Sequence, residues 1–97
     1  MFFQSFLKQS TTDLKTQFCI GWLYEIGYGT KKDYKTALKW YLTAAEGGQI
    51  DAMYRAGVFY LDSYGMEKKD ILLARRFLQK AVQGGHDKAI QRLQTLK

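Results

Sequence analysis

The chain has 97 residues, 46% hydrophobic and 25% charged, with a formal net charge of +6, nine glycines, one cysteine and no proline. That length holds one domain, and the balance of apolar and charged residues sets the chain apart from disordered ones. A single cysteine excludes an intramolecular disulfide framework and a cysteine-based zinc cluster, and no apolar run approaches the roughly 20 residues that span a bilayer as a helix.

The chain opens on Met1-Phe2-Phe3-Gln4-Ser5-Phe6-Leu7-Lys8, the one candidate targeting segment. A secretory leader puts positive charge ahead of an unbroken apolar core of about 7–15 residues. Here Gln4 and Ser5 break the core and Lys8 follows it, so the segment reads as structure. The expected location is cytoplasmic, with a secreted or periplasmic protein expected only if a leader was trimmed from the chain.

Shifted by 36 residues against itself, the chain brings Gly21 onto Gly57, Tyr24 onto Tyr60, Tyr28 onto Tyr64 and Gly29 onto Gly65. After one extra loop residue the shift becomes 37, and Lys31, Lys32, Asp33, Ala37, Ala44, Gly47, Gly48 and Ala52 meet Lys68, Lys69, Asp70, Ala74, Ala81, Gly84, Gly85 and Ala89. Eight of the nine glycines pair in this way. A repeat of this length is the signature of a stacked array.

In chain order, residues 2–10 read as the worn remnant of a helix whose Phe2, Phe3, Phe6 and Leu7 cover an open end. A first helical stretch runs from Thr12 to Ile26. Asp33 then stands where a helix N-cap belongs, its carboxylate placed for an unpaired first-turn N–H. Ala37, Trp40, Tyr41, Ala44 and Ala45 follow at i, i+3, i+4, i+7 and i+8, one face of a helix, which Gly47-Gly48 stops. The pattern recurs as a helix from Asp51 to Asp62, a cap at Asp70, a face of Ala74, Phe77, Leu78, Ala81 and Val82, and a stop at Gly84-Gly85. Gly21 and Gly57 lie inside helices, where each costs up to about 1 kcal/mol against alanine; a cost placed twice at one position implies a neighbouring helix too close for a Cβ. His86–Lys97 reads as a capping helix with Ala89, Ile90, Leu93 and Leu96 inward and a polar back. The expected organisation is one domain: an N-terminal cap at 1–12, repeats at 13–48 and 49–85, and a C-terminal capping helix at 86–97. Two repeats fall short of the three or so that usually give stability, so either the caps matter, the protein self-associates (a homodimer), or the chain is a piece of a longer array.

Ala52-Met53-Tyr54-Arg55-Ala56-Gly57-Val58-Phe59-Tyr60, then Gly65, Lys69-Asp70, Ala74, Ala81 and Gly84-Gly85, resembles the Sel1-like repeat of the tetratricopeptide-type helical-hairpin solenoids. The earlier copy resembles it through Phe18, Gly21, Tyr24, Gly27, Gly29, Lys32-Asp33-Tyr34, Ala37, Trp40-Tyr41, Ala44-Ala45-Glu46 and Gly48. Thr16, Ser63 and Leu78 are departures at positions where packing tolerates them. The resemblance implies an all-α superhelix of two helix-turn-helix repeats with a short N-terminal helix and a capping helix. It implies a non-enzymatic adaptor or scaffold, often in bacterial signalling, secretion or host-contact systems.

Catalysis needs a nucleophile, an acid–base pair or a metal cluster. The lone His86 reads as a turn or first-turn residue and Cys19 as a packing thiol. Gly27-Tyr28-Gly29-Thr30-Lys31-Lys32 lacks the preceding strand and the Gly-Lys-Ser/Thr ending of a phosphate loop. No enzymatic activity, cofactor, metal or small-molecule substrate is expected. The positive charge raises an acidic partner or nucleic acid, but Lys31-Lys32 and Lys68-Lys69 read first as a solvated edge, next as a contact for an acidic protein, and last as a nucleic-acid site, because most aromatics sit at packing positions rather than free for stacking. Tyr24, Tyr41, Tyr60, Trp40 and Phe77 are core by position.

In solenoids of the resembled kind the first helix of each hairpin lines the concave face. The outward set there is Lys15, Phe18, Trp22 and Glu25 in the first copy and Asp51, Tyr54, Val58 and Asp62 in the second. Phe18, Trp22, Tyr54 and Val58 are expected to form an apolar floor, with Glu25, Asp51, Asp62 and Lys15 as charge at its margin. Trp22 leads this set, since no packing role demands it and tryptophan anchors are frequent interface hot spots; packing beneath the N-terminal remnant is the competing role. The expected function is a protein- or peptide-binding module. The alternatives are a dedicated inhibitor or immunity-type protein that neutralises one enzyme, and a basic nucleic-acid-binding module.

Overall fold

The computed structural model describes residues 13–66 and 68–96, and within them the chain is all helical. Five helices follow one another: α1 (Leu14–Ile26), α2 (Tyr34–Glu46), α3 (Ile50–Asp62), α4 (Ile71–Gln83) and α5 (Asp87–Gln94). Each packs on the next in sequence, so α1–α2 and α3–α4 form two antiparallel hairpins and α5 closes the stack against α4. The N-terminal cap expected at 1–12 lies outside the described residues, as does Lys97.

Every helix starts on a side chain that accepts a first-turn N–H. Asp13 takes Lys15 N–H and Asp33 takes Thr36 N–H, while Gln49 takes Ala52 N–H, Asp70 takes Leu73 N–H and His86 takes Ala89 N–H. These acceptors satisfy donors that a helix start leaves unpaired. Both hairpin loops close alike, with Asp33 N–H on the Tyr24 carbonyl and Asp70 N–H on the Tyr60 carbonyl, each at 2.9 Å.

The expected close approach at the intrahelical glycines is present. A Cβ on Gly21 would lie 2.9 Å from the Tyr41 ring, and one on Gly57 2.8 Å from Leu78 Cγ. The double stops work differently from expectation. Gly47 and Gly84 have φ of −80° and −85°, so the second glycine of each pair, Gly48 or Gly85, takes the left-handed turn at 103° or 87°. The first glycine is there for space: a Cβ on Gly47 would fall 2.2 Å from Leu14 Cδ2, and one on Gly84 2.3 Å from Ile50 Cδ1.

Tyr41, Phe59, Ile20 and Leu78 are the largest fully buried side chains. Tyr41 meets Phe59 edge-on at 5.4 Å between ring centroids, tying the two hairpins together, and Tyr64 meets the same ring edge-on at 5.3 Å from within the second hairpin. Tyr24, Trp40, Tyr60 and Phe77 are half-buried, the last two stacked at 5.9 Å. Two expectations need correction. Val58 is only 6% exposed, not outward: α3 packs extensively against both α2 and α4, whereas its counterpart helix α1 packs extensively against α2 and meets α3 through the Glu25–Arg55 pair. Ile90 is exposed although Ala89, Leu93 and Leu96 do pack toward α4.

Candidate functional site

The first helices of the hairpins and α5 together frame a groove of about 540 Å³. From α1 come Phe18, Trp22 and Glu25; from α3 come Asp51, Tyr54 and Arg55; the far end is built by Gly85, His86, Asp87 and Lys88. Five of the eight expected residues therefore converge: Phe18, Trp22, Glu25, Asp51 and Tyr54. Lys15 is exposed away from the groove lining, Asp62 is engaged elsewhere, and Val58 is in the interior.

Several of the groove side chains are held by identifiable neighbours. Phe18 is half-buried, its ring 5.5 Å from that of Tyr41. Trp22, one turn on, is 48% exposed. Glu25 is not the free marginal charge expected of it. One carboxylate oxygen accepts the Tyr41 hydroxyl at 2.7 Å and the other accepts from the Arg55 guanidinium. Burial, reinforced by the Glu25 carboxylate, pushes the Tyr41 phenol far above its ordinary range. The Arg55 guanidinium carbon also lies 5.9 and 5.8 Å from the Tyr54 and Phe59 ring centroids, so cation–π attraction adds to the ion pair.

His86 joins three parts of the far end. Its ring stacks on Tyr54 with centroids 4.4 Å apart and planes 16° off parallel. Nδ1 accepts Ala89 N–H at 3.3 Å, and Nε2 lies 3.1 Å from Asp51 Oδ1. Because Nδ1 is the acceptor, Nε2 carries the proton that meets Asp51. Sequence reasoning missed Arg55, His86, Asp87 and Lys88 as groove residues. The readable signal was Arg55, which recurs 37 positions on as Arg92; Arg92 binds both oxygens of Asp62 at 3.0 Å, thirty residues back, as Arg55 binds Glu25.

Among the described residues no three His, Cys, Asp or Glu side chains converge to hold a metal ion. No described helix is long and apolar enough to cross a membrane. A second depression of about 480 Å³, lined by Gln17, Thr36, Lys39, Trp40 and Thr43, holds none of the expected residues.

The Sel1 repeat family model matches residues 17–49 and 50–86, nearly the two hairpins. Protein sel-1 homolog 2 from mouse and from human are each 42% identical to the chain over 69 residues, 70% of its length. The chain spans about 10% of either relative. A Sel1 repeat protein from Oxalobacter formigenes has a similar crystal structure, with a TM-score of 0.83 and 33% identity over 87% of this chain and 34% of its own. A protective antigen of uropathogenic Escherichia coli with an SLR fold is similar at a TM-score of 0.76 and 29% identity, over 78% of this chain and 16% of its own.

Proposed function

The chain belongs to the Sel1 repeat family, and from that premise we propose that the groove across α1, α3 and α5 binds an extended segment of another protein. Sel1 repeats generally serve as protein-interaction scaffolds rather than enzymes. The observation that carries the reading is Trp22: a half-exposed indole set beside the rings of Phe18 and Tyr54 in a groove of about 540 Å³. That volume lies within the usual range for ligand-binding clefts. Two of the rings are braced, Phe18 against Tyr41 and Tyr54 against His86. A site already ordered loses little entropy on binding. Asp51, Asp87 and Lys88 supply charge at the rim, where it orients a partner more than it tightens the complex.

The test is to pan a displayed random-peptide library on the protein and measure the enriched peptides by titration against wild type and Trp22→Ala. Trp22 as an anchor predicts a loss of roughly tenfold or more, with the far-ultraviolet spectrum unchanged. Peptides that bind both proteins equally would show that the groove is not the site.

A further inference from the structure

Six large hydrophobic side chains are exposed among the described residues, and four of them, Ile26, Tyr28, Ile71 and Leu72, lie in or next to the two hairpin loops that join α1 to α2 and α3 to α4. Tyr28 is 61% exposed and Leu72 79%, the two highest values of the six. Each is within four residues of a pair of exposed lysines, Lys31-Lys32 or Lys68-Lys69. The two loops that carry them are neighbours. A Cβ on Gly65 would lie 3.0 Å from Tyr34 Cβ, and the Tyr34 and Tyr64 rings stack at 5.0 Å, so the second hairpin loop rests on the start of α2, directly after the first dilysine.

We propose that this pair of loops docks on the surface of a bilayer rich in anionic phospholipid, apart from the groove. Residues 26–33 and 66–72 hold four lysines against three acids, Asp33, Glu67 and Asp70, and the Asp33 carboxylate is engaged by Thr36 at the α2 N-terminus. The Asp70 carboxylate is already spent on the α4 N-terminus. Arg75 and Arg76, one turn beyond Leu72 and exposed, extend the positive field along α4. Clustered lysines and arginines are drawn to an anionic leaflet. Leu72 and Ile71 are what separates a membrane from other polyanions: aliphatic side chains standing out of a basic surface gain by entering the headgroup–acyl boundary, where a tyrosine such as Tyr28 also settles well. Nucleic acid offers an aliphatic side chain no comparable environment, since its bases are gripped by aromatic stacking.

The experiment is co-sedimentation with vesicles of phosphatidylcholine alone and of equimolar phosphatidylcholine and phosphatidylglycerol at about 0.1 M salt. The protein is expected to pellet with the anionic vesicles alone. The Lys68→Glu/Lys69→Glu variant should weaken this by roughly tenfold or more, and Leu72→Ser by roughly threefold or more. All three positions are exposed, so folding is retained, which the far-ultraviolet spectrum and the groove peptides verify. Failure to pellet with anionic vesicles overturns the proposal, as does a Leu72→Ser variant that binds like wild type. Tighter binding to an oligonucleotide or to polyglutamate than to the vesicles would overturn it in favour of nucleic acid or an acidic protein.

Discussion

Replacing Gly57 by alanine sets two effects of known sign against each other. In an open helix the change gains about 1 kcal/mol. In this fold the new Cβ would lie 2.8 and 2.9 Å from Leu78 Cγ and Cδ2 and 3.3 Å from the Ala74 carbonyl oxygen, where ordinary carbon contacts begin at about 3.5 Å. Leu78 is fully buried among Ala81, Ala89 and their neighbours, and the Ala74 oxygen is backbone. Overpacking of this kind costs about 1–3 kcal/mol, so the net expectation for Gly57→Ala is a loss of about 1 kcal/mol, or about 4–8 °C in Tm. Shortening Leu78 should reverse the sign. Leu78→Ala alone should cost about 2–5 kcal/mol, and it removes the two closest contacts of the added methyl, leaving only the Ala74 oxygen at 3.3 Å. In that background Gly57→Ala should become stabilising by up to about 1 kcal/mol, giving a coupling energy of about 1–2 kcal/mol between neighbours. Urea unfolding followed by far-ultraviolet circular dichroism reads all four proteins, provided the m-values agree. If Gly57→Ala raises the midpoint in the presence of Leu78, or fails to raise it in the Leu78→Ala background, the close-approach explanation of the repeated glycine is wrong.

Ser63 ends α3 with φ of 57°, where the equivalent position ending α1 is Gly27 at 77°. Ser63→Gly should therefore stabilise by about 0.5–1 kcal/mol, the relief of left-handed strain exceeding the added chain entropy; an unchanged urea midpoint would mean that the Ser63 hydroxyl, bonded to the Asp62 carbonyl, offsets the strain fully. Tyr41→Phe removes a buried hydrogen bond to Glu25 and should cost about 1 kcal/mol at neutral pH. It should also change the alkaline limb of stability. The folded phenol titrates above the unfolded value of 10.0, so its contribution is complete below that pH and is lost as the pH climbs past it. Tyr41→Phe should lose stability less steeply there, with some slope left because burial raises the Tyr60 phenol too. A pH series of thermal melts with the same slope in both proteins would refute this.

The glycines show how far one sequence compared with itself can go. Gly21 and Gly57 share a position, and their shared cost pointed to a helix crossing that is indeed there. Gly47 and Gly84 were legible as stops but not as points of contact, because the residues that press on them, Leu14 and Ile50, lie on the first helices of their hairpins and far away in sequence. Trp22 and Val58 also share a position, yet one is half exposed and the other buried. Repeat equivalence assigns a side chain its direction within a hairpin, while burial depends on what lies on either flank, and that differs between an inner helix and an outer one. The Glu25–Arg55 and Asp62–Arg92 pairs escaped for a related reason. The arginines fall on the repeat, but Glu25 aligns with Leu61 rather than Asp62, so position-by-position comparison sees no recurring pair where the spacing across repeats is constant.

The end of the groove is made by α5 and the turn before it, and this links recognition to the way the stack comes apart. In an array held together by contacts between successive units, a unit such as α5 can open locally before the whole unfolds. When α5 lifts, His86 leaves Tyr54 and Asp51, and the wall facing α1 is gone while the hairpins still stand. Docking of the last helix and occupation of the groove thus belong to a single equilibrium. An occupant that touches both α1 and α5 acts as a brace across the array, and it should slow amide exchange in a helix that it contacts only through its first turn.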